Sequence, residues 1–280
     1  MATPPQIVDL YRRRDQVIRL YERAQEKLDR EIRADLESGR RMASRQYRER
    51  RLAIIRSDLS ALQDLAVPRA ADLMVRAYQV GAVRVSDQLG VASAEFGTGI
   101  HRTAIGLLAD NVVAGLNGAA EMVGRRVDDI YRQLGLEAAS QAILEGSALR
   151  PAAQALGQSL MGAGVTSVAA DGSVIAMVDA GGRAWQLDRY TSMVVRTSTA
   201  EAQTRGAVNQ LLEAGMDLVE IVVADPCPVC APYEGRIYSL TGATDLYDTL
   251  DVMPPFHPNC VCSLEAAAVQ LPDSADTVAA

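Results

Sequence analysis

The sequence predicts an α+β protein: a mainly helical N-terminal part, made of a helical hairpin arm plus further helices, followed by a small α+β module with a zinc-binding knuckle. Three observations predict it. Apolar residues recur at three- and four-residue steps through most of residues 5–161; the pattern shifts to short β-type runs near Gly164; and all four cysteines lie between positions 227 and 262.

Pro4 and Pro5 open the first helix, in which Leu10, Tyr11, Val17, Ile18, Tyr21, Leu28, Ile32 and Leu36 form a stripe, with Ser38-Gly39 as its stop. Tyr47, Leu52, Ile55, Leu59, Leu62 and Leu65 mark a second helix that is expected to end before Pro68. The two make an antiparallel hairpin over residues 1–67, with Arg12, Arg13, Arg14, Arg40, Arg41, Arg45, Arg48, Arg50 and Arg51 on its outer faces. Its narrow apolar stripe implies packing against a partner or another copy. Residues 68–163, rich in Ala, Leu, Val and Gly, read as a domain of four or five helices of ordinary length, with 103–134 and 151–161 the clearest. His101 stands alone and reads as a capping or surface residue.

From 164 the expected order is a β-hairpin (Val165–Val168 and Val174–Val178, a turn at Asp179–Gly182, and Arg183–Leu187), a helix from Tyr190 to Leu212 stopped by Gly215, and a strand from Asp217 to Val223. This α+β module spans residues 164–271. The small, polar residues 272–280 read as a disordered tail.

The 280 residues carry 28 basic and 35 acidic side chains, and the balance is uneven. Residues 1–80 hold 17 basic against 12 acidic groups, so the acidic excess belongs to the remainder. All but one of the basic residues are arginine, which suits nucleic acid or an acidic protein partner. It also suits high-GC coding, and these readings stay open. An apolar fraction of 49% excludes disorder for most of the chain, and four cysteines are too few for a secreted disulfide scaffold. The N-terminus shows no apolar signal segment. Thr103–Gly124, the most apolar long window, is broken by Asp110, Asn111, Asn117 and Glu121, so the expectation is a soluble protein of a reducing compartment with no membrane partner.

Sharp chemistry is confined to Cys227-Pro-Val-Cys230 and His257-Pro-Asn-Cys260-Val-Cys262. Two clusters of soft donors across a loop point to a tetrahedral zinc site, structural rather than catalytic because thiolate-rich sites are closed. Cys227, Cys230 and Cys260 belong to every sensible set, and His257 or Cys262 is the fourth. A nucleobase deaminase would need an upstream His-x-Glu, and the upstream histidine sits in His101-Arg-Thr instead. The second cysteine cluster and the lack of a βαβ pattern argue against a thioredoxin-like pair. A zinc-dependent nuclease is harder to set aside, because His257 and Asn259 adjoin the metal, although nothing else supplies a base or a phosphate clamp.

The segments Trp185-Gln-Leu-Asp-Arg-Tyr190-Thr-Ser-Met-Val-Val-Arg196-Thr, Cys227-Pro-Val-Cys-Ala-Pro-Tyr-Glu-Gly235-Arg-Ile-Tyr-Ser-Leu-Thr-Gly242 and Pro255-Phe-His-Pro-Asn-Cys260, with Ala207 and Gly215 between, closely resemble the minor capsid proteins of tailed bacteriophages. The type is phage minor capsid protein 2, related to the Mu F-like head morphogenesis proteins. The resemblance covers roughly residues 165–265 and extends to the front part only in general character. In that family an arginine usually stands where this chain has Val261, and the last position is Cys or His, which adds weight to Cys262 as a ligand. The resemblance implies a low-copy, non-enzymatic structural component of the virion head, assembled in the host cytoplasm. It would be associated with the portal or the major capsid protein, assist head assembly or DNA packaging and ejection, and have no small-molecule substrate. Arg196 is expected to pair with an acidic neighbour, and Gly235 to supply a positive-φ turn. The alternative is a zinc-dependent nuclease or a DNA-binding effector using the arginine-rich hairpin.

Overall fold

Among the residues that the computed structural model describes (4–37, 44–92, 95–97, 99–145, 177–178 and 184–268), four helices and five short strands follow one another as α1 (Pro5–Glu37), α2 (Arg45–Leu89), α3 (Gly99–Glu145), β1 (Met177–Val178), β2 (Ala184–Trp185), α4 (Leu187–Glu213), β3 (Leu218–Val222), β4 (Ile237–Ser239) and β5 (Ser263–Ala266). The α+β class is as predicted. By their contacts the residues divide into two compact units, Met1–Leu73 with Leu108–Arg196, and Met74–Leu107 with Thr197–Ala280. No helix of the described residues is long and apolar enough to cross a membrane.

Two helix expectations need correction. α2 does not end before Pro68 but runs through it. Proline removes one amide donor, at a cost of about 3 kcal/mol in a helix interior. Pro68 is exposed, so the carbonyl it leaves without a partner can be solvated, while Leu62, Ala66, Ala70 and Leu73 on the opposite face are buried and hold both sides in line. Likewise 103–134 belongs to a single 47-residue helix. Gly118 and Gly135 read as punctuation, yet an interior glycine costs only about 1 kcal/mol relative to alanine and does not break a packed helix. The Ser38-Gly39 stop, Arg40, Arg41, residues 151–161, the strand at 165–168, the turn at 179–182 and the tail at 272–280 lie outside the described residues.

In the first unit the antiparallel pairing of α1 and α2 is fixed by charge. The Arg51 guanidinium donates to Asp35 at 2.7 Å and to Glu31 at 3.1 Å, and Lys27 reaches Asp58 at 2.7 Å. Asp35 is buried and also accepts from the Tyr47 hydroxyl at 2.7 Å and from Tyr131 of α3, so one carboxylate joins three helices. Arg51 is therefore not on an outer face. Burial works against its charge, but Asp35 more than compensates and pushes its pKa upward, while burial and Asp35 push the Tyr131 hydroxyl up. Much of the apolar stripe is covered within the chain: Leu10, Val17, Ile18, Tyr21, Leu28, Ile32, Ile55 and Leu62 are all buried together with Leu116, Val123 and Val127 of α3, while Tyr11 and Leu65 stay exposed. The buried Gln25 accepts from the first amide of α4, at Leu187, which would otherwise lack a helical partner. β1 and β2 pair antiparallel, Met177 with Trp185 and Val178 with Ala184, as the expected hairpin requires, although Leu187 opens α4 rather than extending the strand.

The second unit is built around a close approach of α2 and α4. A Cβ on Gly81 would lie 1.9 Å from the Gln203 carbonyl oxygen, and one on Gly206 would lie 2.0 Å from the Tyr78 carbonyl oxygen. Ala77, Ala82, Ala202 and Ala207 around them are fully buried. Beside this crossing, His101 is neither a cap nor a surface residue. Its Nδ1 is 2.7 Å from the Tyr78 hydroxyl, which also accepts from Asn209 at 2.7 Å, and its Nε2 is 2.9 Å from Glu213; Phe96 meets its ring edge-on. The next face of α4 carries Ala207, Val208 and Leu211 against Val219, Ile221 and Leu264 of the sheet. That sheet has the order β4-β3-β5, antiparallel throughout, with Glu220 opposite Ile237 and Val222 opposite Ser263. Gly215, at φ 72°, ends the helix as expected. Asp217 clamps the far end of β4: it accepts from the Ser239 hydroxyl, and from the Thr241 amide at 2.8 Å and hydroxyl at 2.6 Å. Burial alone would raise its pKa, but these donors hold it below the ordinary carboxylate value.

Gly81→Ala and Gly206→Ala should each lower stability by at least the top of the ~1–3 kcal/mol range for overpacking, because the obstacle is backbone. Gly118→Ala, whose added Cβ meets nothing within 4 Å, should instead stabilise α3 by up to about 1 kcal/mol. Denaturation midpoints of the three variants give the signs directly. Asp217→Asn should cost about 1–3 kcal/mol at neutral pH. A depressed folded-state pKa contributes stability above the unfolded value of about 3.9 and loses it as pH falls through the folded value. The gap between wild type and variant should therefore be constant above about pH 5 and close below about pH 4.

Candidate metal centre

The sheet brings its loops together at one end. β3 leaves there, and both β4 and β5 enter there, as the antiparallel registers require. The β3–β4 loop (residues 223–236) carries Cys227 and Cys230, and the β4–β5 connection carries His257, Cys260 and Cys262. Tyr233 of the first loop stacks on Phe256 of the second at a centroid distance of 4.2 Å, closing one side. Gly235, at φ 65°, supplies the expected turn, and its amide donates to the Ile221 carbonyl at 3.0 Å as the chain re-enters the sheet.

All five sequence-predicted donors converge. The Cys227 and Cys230 sulfurs are 3.5 Å apart, and His257 Nε2 lies 3.3 Å from the first and 3.0 Å from the second. Cys230 Sγ is 3.7 Å from Cys260 Sγ. Cys227, Cys230 and His257 form one set with all donor atoms within 4.8 Å, and Cys230, Cys260 and Cys262 form another, so Cys230 is the hub. Cys230, Cys260 and Cys262 are buried, and none of the four thiols is in a disulfide.

Local hydrogen bonding sorts the thiols. The Cys230 amide, with help from the Val229 amide and His257, brings the Cys227 thiol down to about 7. Burial opposes ionisation of Cys260, but the Cys262 amide and the neighbouring thiols hold it below the ordinary value. Burial pushes Cys230 up, and burial with Cys260 pushes Cys262 up to about 11. His257 is raised first by the Pro258 carbonyl, which Nδ1 meets at 2.9 Å, and then by the adjacent thiols. Negative charge held beside buried sulfur is the condition that a soft divalent cation relieves. In a tetrahedral site with Zn–S bonds of about 2.3 Å, donor–donor edges are about 3.5–3.8 Å, close to the separations around Cys230. The donors therefore fit zinc. Among the described residues no carboxylate joins either set.

Thr197 of α4 was visible in the sequence only as half of an Arg-Thr motif. Its hydroxyl accepts from the Asn259 amide at 3.1 Å, anchoring the second donor turn, whose Asn259 has φ 60°. Arg196, expected to pair with an acidic group, is exposed and forms no ion pair among the described residues. Several arginines of the hairpin have acidic neighbours: Arg12 and Arg13 meet Asp9, Arg14 meets Asp15 and Arg45 meets Glu49.

No curated protein matches the chain, and no solved structure does. A family profile described as phage minor capsid protein 2 matches residues 5–253. The match takes in α1, α2 and α3, where the motifs suggested only a general likeness, together with the first donor turn, and it stops just before His257. With so much of its length covered, the chain belongs to the phage minor capsid protein 2 family, a structural family of the virion.

Proposed function

We propose that the protein is a low-copy structural component of the phage head, related to the Mu F-like head morphogenesis proteins. In this proposal it is recruited with the portal or the major capsid protein during assembly in the host cytoplasm, and it assists head assembly or the packaging and ejection of DNA. The family match carries this reading. Residues 1–67 would act as the docking arm, 68–163 as a helical domain and 164–271 as the metal-bearing module. The donor cluster supports a structural role, because three of its four thiols are buried, His257 Nε2 is turned onto Cys227 and Cys230, and among the described residues no carboxylate joins the donors. Carboxylates beside the exposed arginines break up the positive field that a DNA-binding arm would use, which favours a protein partner over nucleic acid.

Mass-spectrometric quantification of heads assembled with and without portal tests the placement. The expected outcome is a few copies per complete head and loss from portal-less particles; full retention without portal would overturn portal recruitment. For the metal, elemental analysis of protein purified without a metal-affinity tag should give one zinc per chain. Cys230→Ser should remove it and unfold the sheet-bearing unit, since structural zinc contributes on the order of 10–16 kcal/mol in small peptides. A metal-free wild type of undiminished stability would refute the staple.

A further inference from the structure

The donors come from two turns of the same form. In the first, the Cys230 amide donates to the Cys227 carbonyl at 3.0 Å; in the second, the Cys260 amide donates to the His257 carbonyl at 3.1 Å. Each closed turn sets its first and fourth side chains on one side of the loop, and the two turns face each other: His257 Nε2 reaches 3.3 Å from Cys227 and 3.0 Å from Cys230, while Cys260 lies 3.7 Å from Cys230. The His257 ring is already oriented as a ligand. Its Nδ1 is positioned to donate to the Pro258 carbonyl at 2.9 Å, which leaves the Nε2 lone pair toward the sulfurs, the arrangement in which a backbone carbonyl fixes the tautomer of a metal-bound histidine. The Thr197 hydroxyl and the left-handed Asn259 hold that second turn in place.

Cys262 is different in kind. It lies beyond the second turn, immediately before β5, whose first residue is fixed opposite Val222 in the sheet. Its sulfur groups with Cys230 and Cys260, and Cys260 likewise lies outside the set of Cys227, Cys230 and His257, so what separates the two is the turn: the Cys260 amide closes it on the His257 carbonyl, and Cys262 lies beyond it. It is buried with Val223 and Phe256 packed around the three thiols.

We propose that one tetrahedral zinc is held by Cys227, Cys230, His257 and Cys260, the first and fourth residues of each turn, and that Cys262 packs behind the coordination sphere without entering it. This assignment rests on the metal-staple reading above and decides a question which that reading leaves open. It also runs against the weight that the family-like Cys or His at the last position gives to Cys262.

X-ray absorption at the zinc edge of the full-length, zinc-loaded protein tests it. The expected first shell is three sulfurs and one imidazole nitrogen, and four sulfurs would overturn the assignment. Cys262→Ser, with Cys262→Val as a variant that preserves apolar packing, should retain one zinc and the same shell; loss of a sulfur from that shell would place Cys262 in the site. His257→Cys should convert the shell to four sulfurs, and an unchanged shell would overturn the role of His257. A wild-type protein that takes up no zinc overturns the staple itself, whereas a loaded protein with four sulfurs overturns only this choice of ligands.

Discussion

The second unit depends on the contact of two helix backbones. At Gly81 and Gly206 there is no room for a methyl group, so α2 and α4 approach until side chains on one helix meet main chain on the other. Packing this close gathers dispersion contacts that looser crossings forgo, and it tolerates almost no change of volume. It also fixes α4 in rotation. With Gly206 and Asn209 turned toward α2, Ala207, Val208 and Leu211 must face the sheet. The Tyr78–His101–Asn209 hydrogen bonds follow from the same constraint, since they need helices near enough for polar atoms to meet inside a buried layer.

The sheet that α4 supports is small: β3 has five residues, β5 four and β4 three. Strands this short bury little apolar surface, and the long loops between them add chain entropy that the core must offset. Three devices act against that entropy at separate points. Asp217 ties the far end of β4 to its neighbouring loop. The Tyr233–Phe256 stack joins the two long loops in their second halves. The sulfur cluster joins them where the strands meet, and a metal there would convert a weak association of thiols into a covalent-strength crosslink. Thr197 extends the brace to α4, so the second donor turn is held by helix as well as by sheet.

Much of this was legible in the sequence, and what was missed has a common cause. The α+β class, the long stripe of α1, the helix ending at Gly215 and the five donors were all readable, because periodicity, stop residues and soft-ligand spacing are local signals. The continuation of α2 through Pro68 was not, because local propensity argues for a break and only the burial of Ala66 and Ala70 on either side overrides it. The close approach at Gly81 was not legible either, for the same reason. A signal was present: Ala77 and Gly81 on one helix and Ala202 and Gly206 on the other are each four residues apart, the spacing that puts two small side chains on one face. Its meaning appears only when both helices are considered together. His101 was misjudged because its partners, Tyr78, Asn209 and Glu213, are distant in sequence.

The arginine-rich hairpin shows the same shift from composition to placement. Its excess of positive charge suggests a phosphate-binding arm, yet Arg51 is turned inward to Asp35, where three helices meet. A buried pair of this kind is weak grounds for added stability, since desolvation offsets most of the attraction, but losing one partner would strand the other charge. Its consequence is register: Asp35 can accept from Tyr47, Arg51 and Tyr131 only when α1, α2 and α3 are aligned in one way. Most of the apolar stripe of the hairpin is buried in that same alignment, Ile18, Tyr21, Ile32 and Ile55 among it. Tyr11 and Leu65 of the predicted stripes stay exposed, as do Val8 and Ile54, so the hairpin keeps some apolar surface outside that alignment. Where the hairpin presents Arg12, Arg13 and Arg45 outward, Asp9 and Glu49 stand beside them, so the positive charge read from composition is interrupted along that surface by the carboxylates the same helices carry.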